Sequence, residues 1–196
     1  MASGQATLGD ARPMVRAEET LTGYSPDILT DGLNVVFCGI NPAATAAQSG
    51  HNFSHPSNRF WSVLHLAGFT DDRLRPDQER RLLTYACGIT AVVSRPTTRA
   101  SDVTAAEIHA AAPLFEAKIR RYAPKTLAFL GNRAVRVLLP GVDLRWGRQP
   151  FRIADTPIWL LPNPSGLNRS FSLDALVAAY AELRHSAQLK PTVDLS

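Results

Sequence analysis

Cysteine is scarce in this chain: of its 196 residues only Cys38 and Cys87 are cysteine. Two thiols cannot by themselves hold an iron–sulfur cluster, and no Cys/His spacing typical of a zinc site accompanies them. Both lie in apolar segments, which is typical of reduced thiols buried in a core. The sequence therefore predicts an intracellular protein that holds no metal ion and no other cofactor.

Long apolar runs are absent as well. No stretch approaches the roughly 18 apolar residues of a membrane-spanning helix. The first residues do not follow the charged-then-apolar order of a signal peptide. We therefore expect a cytoplasmic protein that has no membrane partner, and we expect it to act as a monomer.

The composition supports a folded core but leaves the partner open. Hydrophobic residues make up 45% of the chain and charged residues 19%, and the formal net charge is +4. This proportion of apolar residues argues against wholesale disorder. A mild basic excess is compatible with a nucleic-acid partner, although many basic proteins never bind DNA.

The length and patterning predict one folded domain over residues 25–187, because 196 residues suffice for one ordinary domain. Residues 1–24 show no hydrophobic period and are predicted to be a loosely ordered tail, and residues 188–196 a C-terminal tail. No internal repeat or domain linker interrupts the sequence between them.

Short apolar runs alternate with stretches of helical periodicity. Four runs predict buried strands: residues 33–39, 88–93, 126–131 and 158–161. Helices are predicted to begin near Ser57, Pro76, Thr104, Asn132 and Ser172. Glu107 completes a capping box with the threonine, and Pro113 predicts a kink or a restart in that helix. This order predicts an α/β fold of three layers, with a mostly parallel central sheet and helices on both faces.

Two proline-containing loops directly follow predicted strands, at residues 39–43 and 162–169. In an open α/β sheet, ligands bind at the carboxyl ends of the parallel strands, so both loops are expected on one edge. Proline stiffens each loop and would hold a neighbouring Asn side chain in one geometry. Alternatively, each Asn-Pro pair simply starts a turn.

These loops resemble the two motifs of the mismatch-specific uracil-DNA glycosylases, which belong with the thymine-DNA glycosylases to the uracil glycosylase superfamily. Residues 39–42, Phe53, His55-Pro56 and Asn58-Arg59-Phe60-Trp61 are similar to the first motif, and residues 161–169 to the second. The resemblance extends from about residue 26 to residue 183. It implies base excision repair of double-stranded DNA that carries a G·U or related mismatch. The enzyme would flip the uracil out and hydrolyse its bond to the sugar.

The resemblance implies that Asn41 positions the attacking water. An amide takes no proton at neutral pH, so Asn41 would orient water rather than act as a base. Asp102 follows the loop after the second predicted strand and is a second catalytic candidate, the alternative being a helix-start residue. Neither motif contains lysine, which argues for a monofunctional enzyme without a Schiff-base step.

The same resemblance implies a base pocket. The flipped base would stack on Phe53, whose alternative role is that of a core aromatic, and backbone groups of Ile40 and Phe53 would read its edge. Asn163 is a further base-binding candidate. Ala43 occupies a position at which this family commonly has Gly and the stricter uracil enzymes have Tyr. Its small side chain leaves space for thymine or ethenocytosine, although less than Gly would.

The second motif is expected to supply the wedge that replaces the flipped base. The expected wedge and DNA-contact residues are Ser165, Gly166, Leu167, Asn168 and Arg169, together with Arg95. Leu167 is apolar on a polar loop, which suits insertion between bases, unless it folds back on the core. Gly166 permits close backbone approach. Arg169 would bond the widowed guanine or a phosphate.

Two other functions remain open at this point. A non-catalytic module that recognises mismatched DNA would keep the wedge and the basic surface but would release no base. A small-molecule enzyme such as a nucleoside hydrolase would act on free nucleosides. The chain lacks the glycine-rich fingerprint that cradles phosphates, which counts against an α/β nucleotide enzyme.

Overall fold

A computed structural model of the chain describes residues 24–187. The predicted tails, residues 1–24 apart from Tyr24 and residues 188–196, lie outside the described residues. No helix within the described range is long and apolar enough to cross a membrane.

A five-stranded sheet forms the centre of the described domain. Its strands are β1 (Val35–Gly39), β2 (Cys87–Ala91), β3 (Thr126–Leu130), β4 (Gly147–Ile153) and β5 (Thr156–Leu161). They lie in the order β2-β1-β3-β5-β4. All neighbours pair in parallel except β4, which pairs antiparallel with β5. The mostly parallel sheet is confirmed, and each of the four predicted strands is present.

Strand β4 was not predicted, because its sequence has no apolar run. Its burial alternates: Gly147, Gln149 and Ile153 are buried, whereas the arginines between them are exposed. This is the pattern of an edge strand, and the register shifts around Pro150, where a ladder hydrogen bond is missing. A tight turn through Ala154 and Asp155, both at positive φ, joins β4 to β5.

The helices follow the predicted order. They are α1 (Ala44–Ser49), α2 (Phe60–Leu66), α3 (Ala105–Tyr122), α4 (Arg133–Leu138) and α5 (Leu173–Ser186), with 3₁₀ helices at Pro76–Tyr85 and Ala100–Asp102. The predicted capping box is confirmed: the Thr104 hydroxyl accepts from the Glu107 amide, and the Glu107 carboxylate accepts from the Thr104 amide at 2.8 Å. Ser172 caps α5 by accepting from Ala175.

The predicted restart at Pro113 and the predicted loop at residues 44–49 are wrong, whereas a kink at Pro113 stays a prediction. Helix α3 continues without a restart through Pro113. Proline has no amide hydrogen to donate to the carbonyl of His109, one turn earlier. Because both residues are exposed, water can reach that carbonyl instead. Helix α1 lies within a stretch predicted to be loop. It has no apolar period, since only Ala46 is buried in it.

The sheet is covered on both faces, which confirms the three layers. Val35 and Phe37 of β1 face a core shared with α2 and α5. Val36 and Cys38, which alternate with them, face a second core shared with α3 and α4. Both cysteines are buried and free, as expected. Burial raises the pKa of the Cys87 thiol to about 12, so it is protonated and inert at neutral pH.

The topology places the expected functional loops on one edge of the sheet. We call this edge the carboxyl rim; it comprises residues 40–43, 92–98, 131–132 and 162–171 and Trp146. The four parallel strands end here, and β4 begins here because it runs antiparallel. From β1 the chain continues to β2 on one side, whereas β3 lies on the other. Such a switch point opens a crevice at the strand ends, where α/β proteins bind ligands.

Candidate active site

The first rim loop holds Asn41 in a single orientation. Its side-chain amide nitrogen donates to the carbonyls of Pro42 at 3.0 Å and Arg95 at 2.9 Å and to the Thr97 hydroxyl at 2.8 Å. The Thr97 hydroxyl donates its own proton to the Arg99 carbonyl, so it accepts from Asn41. Because all three partners are acceptors, the amide cannot be flipped. The Asn41 Oδ1 atom has no partner among residues 24–187 and is free to accept a hydrogen bond.

The main chain around Asn41 is fixed by a ladder that continues beyond the strands. The Val93 amide donates to Ile40 at 2.9 Å, the Thr97 amide to Pro42 at 3.1 Å, and the Ala44 amide to Thr97 at 2.8 Å. Three alternate residues of the first loop, Ile40, Pro42 and Ala44, are thereby tied to the loop that follows β2. The position of Asn41 rests on backbone hydrogen bonds rather than on any single side chain.

The two predicted neighbours of Asn41 have different surroundings. Ile40 is half-buried and packs against the core beneath α3 and α4. Ala43 is exposed at the start of α1, and its backbone forms an isolated parallel β-bridge with that of Thr97. Ala43 therefore places no bulky side chain next to Asn41.

Phe53 packs on the core, which was the alternative role considered for it, and its stacking on a flipped base stays a prediction. Its ring lies against Phe60 of α2, with centroids 3.9 Å apart, and it contacts the buried core edge-on at Trp61. The residue is nevertheless only half-buried. Its φ of 53° is unusual for a bulky residue and needs support from its surroundings.

That support comes from a network of hydrogen bonds that no sequence motif predicts. The Glu79 carboxylate, which is 9% exposed, accepts from the Asn52 amide at 2.7 Å. The Asn52 side chain donates to the Pro26 carbonyl and accepts from the Tyr24 hydroxyl. Burial, followed by the charge of Glu79, raises the pKa of Tyr24, so the phenol stays protonated and donates. The network fixes the backbone immediately before Phe53.

The second rim loop is shaped mainly by its own side chains. Asn163 Oδ1 accepts from the Ser165 amide at 2.9 Å, and the Asn163 carbonyl accepts from the Asn168 side chain at 2.9 Å. The Ser165 hydroxyl accepts from the Leu167 amide at 3.3 Å. The Asn163 side-chain nitrogen has no partner within the described part of the chain. These contacts fold the loop into successive turns.

The tip of this loop projects into solvent. Leu167 is 85% exposed, and Arg169 beside it is exposed. Leu167 does not fold back on the core, which was the alternative considered for it. A large apolar side chain at the tip of a polar loop is the arrangement that a wedge requires.

Arg59 joins the first motif to the second loop, a role that the sequence did not reveal although the residue lies within the motif. Its guanidinium donates to the carbonyls of Ser165 at 3.0 Å, Asn168 at 2.8 Å and Phe171 at 2.7 Å. Its backbone amide donates to the Pro164 carbonyl at 3.0 Å. Its Nε atom also donates to the Pro164 carbonyl at 3.4 Å, so one half-buried side chain holds four carbonyls at the base of the tip.

Gly166 is required by a close approach within the protein. A Cβ atom at this position would lie 2.4–2.6 Å from the side chain and carbonyl of Ser57. Close backbone approach was expected here, and within residues 24–187 it is made toward the first motif. The two motifs therefore pack directly against each other.

Asp102 and Arg95 lie at the exposed edge of the neighbouring loop. Asp102 Oδ2 accepts from the Arg99 amide at 3.0 Å and closes a short turn; within the described range no hydrogen bond joins it to Asn41. Arg95 pairs with Glu107 at 2.7 Å. The Thr104 amide and then Arg95 hold the pKa of Glu107 below its usual value. The described residues contain no cluster of three or more His, Cys, Asp or Glu that would hold a metal ion.

Comparisons with known proteins agree with this architecture. The family model of the uracil DNA glycosylase superfamily matches residues 26–184. A solution NMR structure from Methanosarcina acetivorans, described as a candidate uracil DNA glycosylase, superimposes with a TM-score of 0.58 at 20% sequence identity. The match covers 82% of this chain and 95% of that chain, and it shows a shared fold. Because the family match spans nearly the whole described domain, the chain belongs to the uracil DNA glycosylase superfamily.

Proposed function

We propose that this chain, a DNA glycosylase by family, hydrolyses the N-glycosidic bond of uracil that has been flipped out of mismatched duplex DNA. One observation carries the proposal. The amide nitrogen of Asn41 is fully engaged by Pro42, Arg95 and Thr97, so its oxygen is presented as a fixed acceptor on the rim that also carries Leu167.

Such an acceptor can orient water without taking its proton. Asn41 Oδ1 accepts a hydrogen bond from a water molecule and directs a lone pair of the water oxygen at the anomeric carbon. The bond between the base and the sugar breaks with both electrons on the base, which leaves an oxocarbenium-like sugar. Water then adds to this carbon and loses a proton to solvent. Donors aimed at the departing anion lower the barrier further.

The base would be held between the two rim loops. Phe53, which is half-buried, would supply the stacking surface. The side-chain nitrogen of Asn163, which has no partner within the described range, is a donor for a carbonyl oxygen of the base. The open position beside Ala43 leaves room for a 5-substituent, so we propose thymine and ethenocytosine as further substrates.

The wedge and the strand contacts complete the proposal. Leu167 enters the gap left by the base, and the exposed guanidinium of Arg169 reaches the opposite strand or a phosphate. Arg95 reaches a phosphate from the neighbouring loop. Asn168 and Ser165 act mainly by shaping the loop, since their side chains bond within it.

Asp102 stays a second catalytic candidate. Its exposed carboxylate already accepts the Arg99 amide and closes the turn, which favours a structural role over proton transfer. The absence of lysine from both motifs supports a monofunctional reaction, in which the DNA strand stays intact after the base has left.

A substrate panel tests the proposal. Single-turnover release of free base is measured from G·U, G·T and G·ethenocytosine duplexes and from the corresponding single strands. We expect uracil release, with strand breakage only after alkali. Slower migration of the DNA in a gel-shift assay without any release of base would instead identify a binding module. Release from free nucleosides alone would identify a nucleoside hydrolase.

A further inference from the structure

Trp146 is the exposed tryptophan of the three in this chain, all of which lie in the described range. Its side chain is 48% exposed, whereas Trp61 and Trp159 are each 5% exposed. Trp146 directly precedes β4, whose first residue, Gly147, pairs with Leu160 near the carboxyl end of β5. It therefore stands on the carboxyl rim beside the second loop.

The Trp146 ring packs on a neighbouring aromatic ring, and a buried side chain holds the backbone on either side of it. The Trp146 and Phe171 rings are T-shaped to each other, with centroids 5.5 Å apart and an interplanar angle of 86°. The Phe171 carbonyl is held by Arg59, and the buried Gln149 side chain donates to the carbonyls that flank Trp146, those of Arg145 and Gly147. A supported aromatic that remains half exposed offers a large apolar area to a partner at a low cost in conformational entropy.

The surroundings of this ring favour a negatively charged partner. Arg145 is 85% exposed, and Arg148 and Arg169 are exposed as well. Asp143 pairs with Arg145 at 3.2 Å, and the Glu182 carboxylate lies beside Gly147, so acidic groups offset part of this positive charge. A flat aromatic among arginines matches a partner that has both planar bases and phosphates.

We propose that Trp146, supported by Phe171, stacks on an unpaired base of the DNA beside the wedge and so favours locally opened or single-stranded DNA over paired duplex. The inference rests on the proposed function, since it takes DNA as the partner. A paired base has both faces covered by its neighbours, whereas an unpaired base can offer one face to the indole. The guanidinium groups of Arg145, Arg148 and Arg169 would contact the phosphates next to that base.

Tryptophan emission tests this contact without any catalytic step, since the other two tryptophans are buried. The probes are lesion-free oligothymidylate, a fully paired duplex and the same duplex with an unpaired bubble. We expect saturable quenching by the single strand and the bubble, and a weaker effect of the paired duplex. Trp146→Phe should abolish the quenching signal.

The affinity for labelled DNA, measured by fluorescence anisotropy, shows how much the Trp146 ring contributes to binding. Trp146→Ala should raise the Kd for oligothymidylate about 5- to 150-fold, the loss expected for one stacked base. Leu114→Ala is the matched control, because Leu114 is 79% exposed on α3 and away from the rim, and it should leave the Kd unchanged. The thermal midpoint of each variant should stay near that of the wild type, since both side chains are exposed.

Three results would overturn the inference. The first is an unchanged Kd of Trp146→Ala. The second is an equal loss for single-stranded and paired DNA, which would make the contact one with the backbone. The third is an emission change with protein concentration alone, which would show that a second copy covers the ring. Base release from G·U duplexes is measured in parallel, so a failed stacking test with intact base release leaves the glycosylase proposal in place.

Discussion

The two loops of the carboxyl rim are held in opposite ways. Residues 40–43 are bound to the loop after β2 by main-chain hydrogen bonds that prolong the sheet. Residues 162–169 are bound by one guanidinium and by their own Asn and Ser side chains, and their tip is exposed. The loop proposed to orient water is therefore held by the same kind of hydrogen bonds as the sheet. The loop proposed to enter DNA is fixed at its base and free at its tip.

This difference separates two kinds of defect. Loss of a side chain from the first loop should remove a chemical group and leave the loop in place. Loss of a side chain that holds the second loop should move the loop and impair base flipping, which single-stranded DNA requires far less than duplex DNA. The ratio of activities on the two substrates is therefore the measurement that distinguishes the loops.

Asn41→Ala should have the largest effect. Base release in single turnover should fall roughly 10²-fold or more, on duplex and single strand alike, because the water loses its orientation. DNA binding, measured by anisotropy, should stay near normal.

Thr97→Ser is the matched control for this change, because it keeps the hydroxyl that accepts from Asn41. It should retain most of the activity. Unchanged release by Asn41→Ala would remove Asn41 from its proposed role.

Arg59→Ala should come next. It leaves three carbonyls of the second loop without their donor, and hydrogen bonds to charged groups are worth about 1.5–3 kcal/mol. We expect a fall of roughly tenfold to 10²-fold on paired duplex and a smaller one on single strands. Arg59→Lys should recover part of the difference.

A general loss of folding would lower both activities of Arg59→Ala equally. The free energy of unfolding is therefore measured by denaturant titration beside the kinetics. An equal loss on both substrates in a folded variant would contradict the positioning role.

Leu167→Ala should have a smaller effect, about tenfold on paired duplex, because the wedge no longer fills the gap in the stack. Activity on single strands should hardly change. The thermal midpoint should stay constant because the side chain is 85% exposed. Equal losses on both substrates would show that Leu167 is not a wedge.

Asp102→Asn should have the smallest effect. The amide oxygen can still accept from Arg99, and exposed substitutions usually change stability by less than about 0.5 kcal/mol. We expect a release rate close to that of the wild type over the neutral pH range. A fall comparable to that of Asn41→Ala would instead make the carboxylate catalytic.

Local patterns predicted much of the fold. The four buried strands were found because parallel strands covered on both faces are continuously apolar. The start of α3 was found because Thr104 and Glu107 cap each other within four residues. Strand β4 was not predicted because an edge strand has polar residues on one side and therefore no continuous apolar run. Helix α1 was not predicted because a single buried residue produces no helical periodicity.

In the candidate site, too, local motifs could be predicted from the sequence, whereas contacts between distant residues could not. Asn41, Phe53 and the second loop were identified from short motifs and the family they resemble. The contacts of Arg59 and Glu79 span more than twenty residues of sequence, and nothing near either residue indicates its partner. Trp146 was overlooked because it precedes a strand that the pattern did not reveal.

The sequence by itself determined which residues form the apolar strands, where the main helices begin and which loops follow the strands. These features depend on neighbours within a few positions, where periodicity and capping act. Only the tertiary structure decided that the Asn41 amide is locked with its oxygen free, that Arg59 ties the two motifs together and that Trp146 stands on the same rim. Those facts depend on groups far apart in the chain, whose distance is set by the packing of the whole sheet.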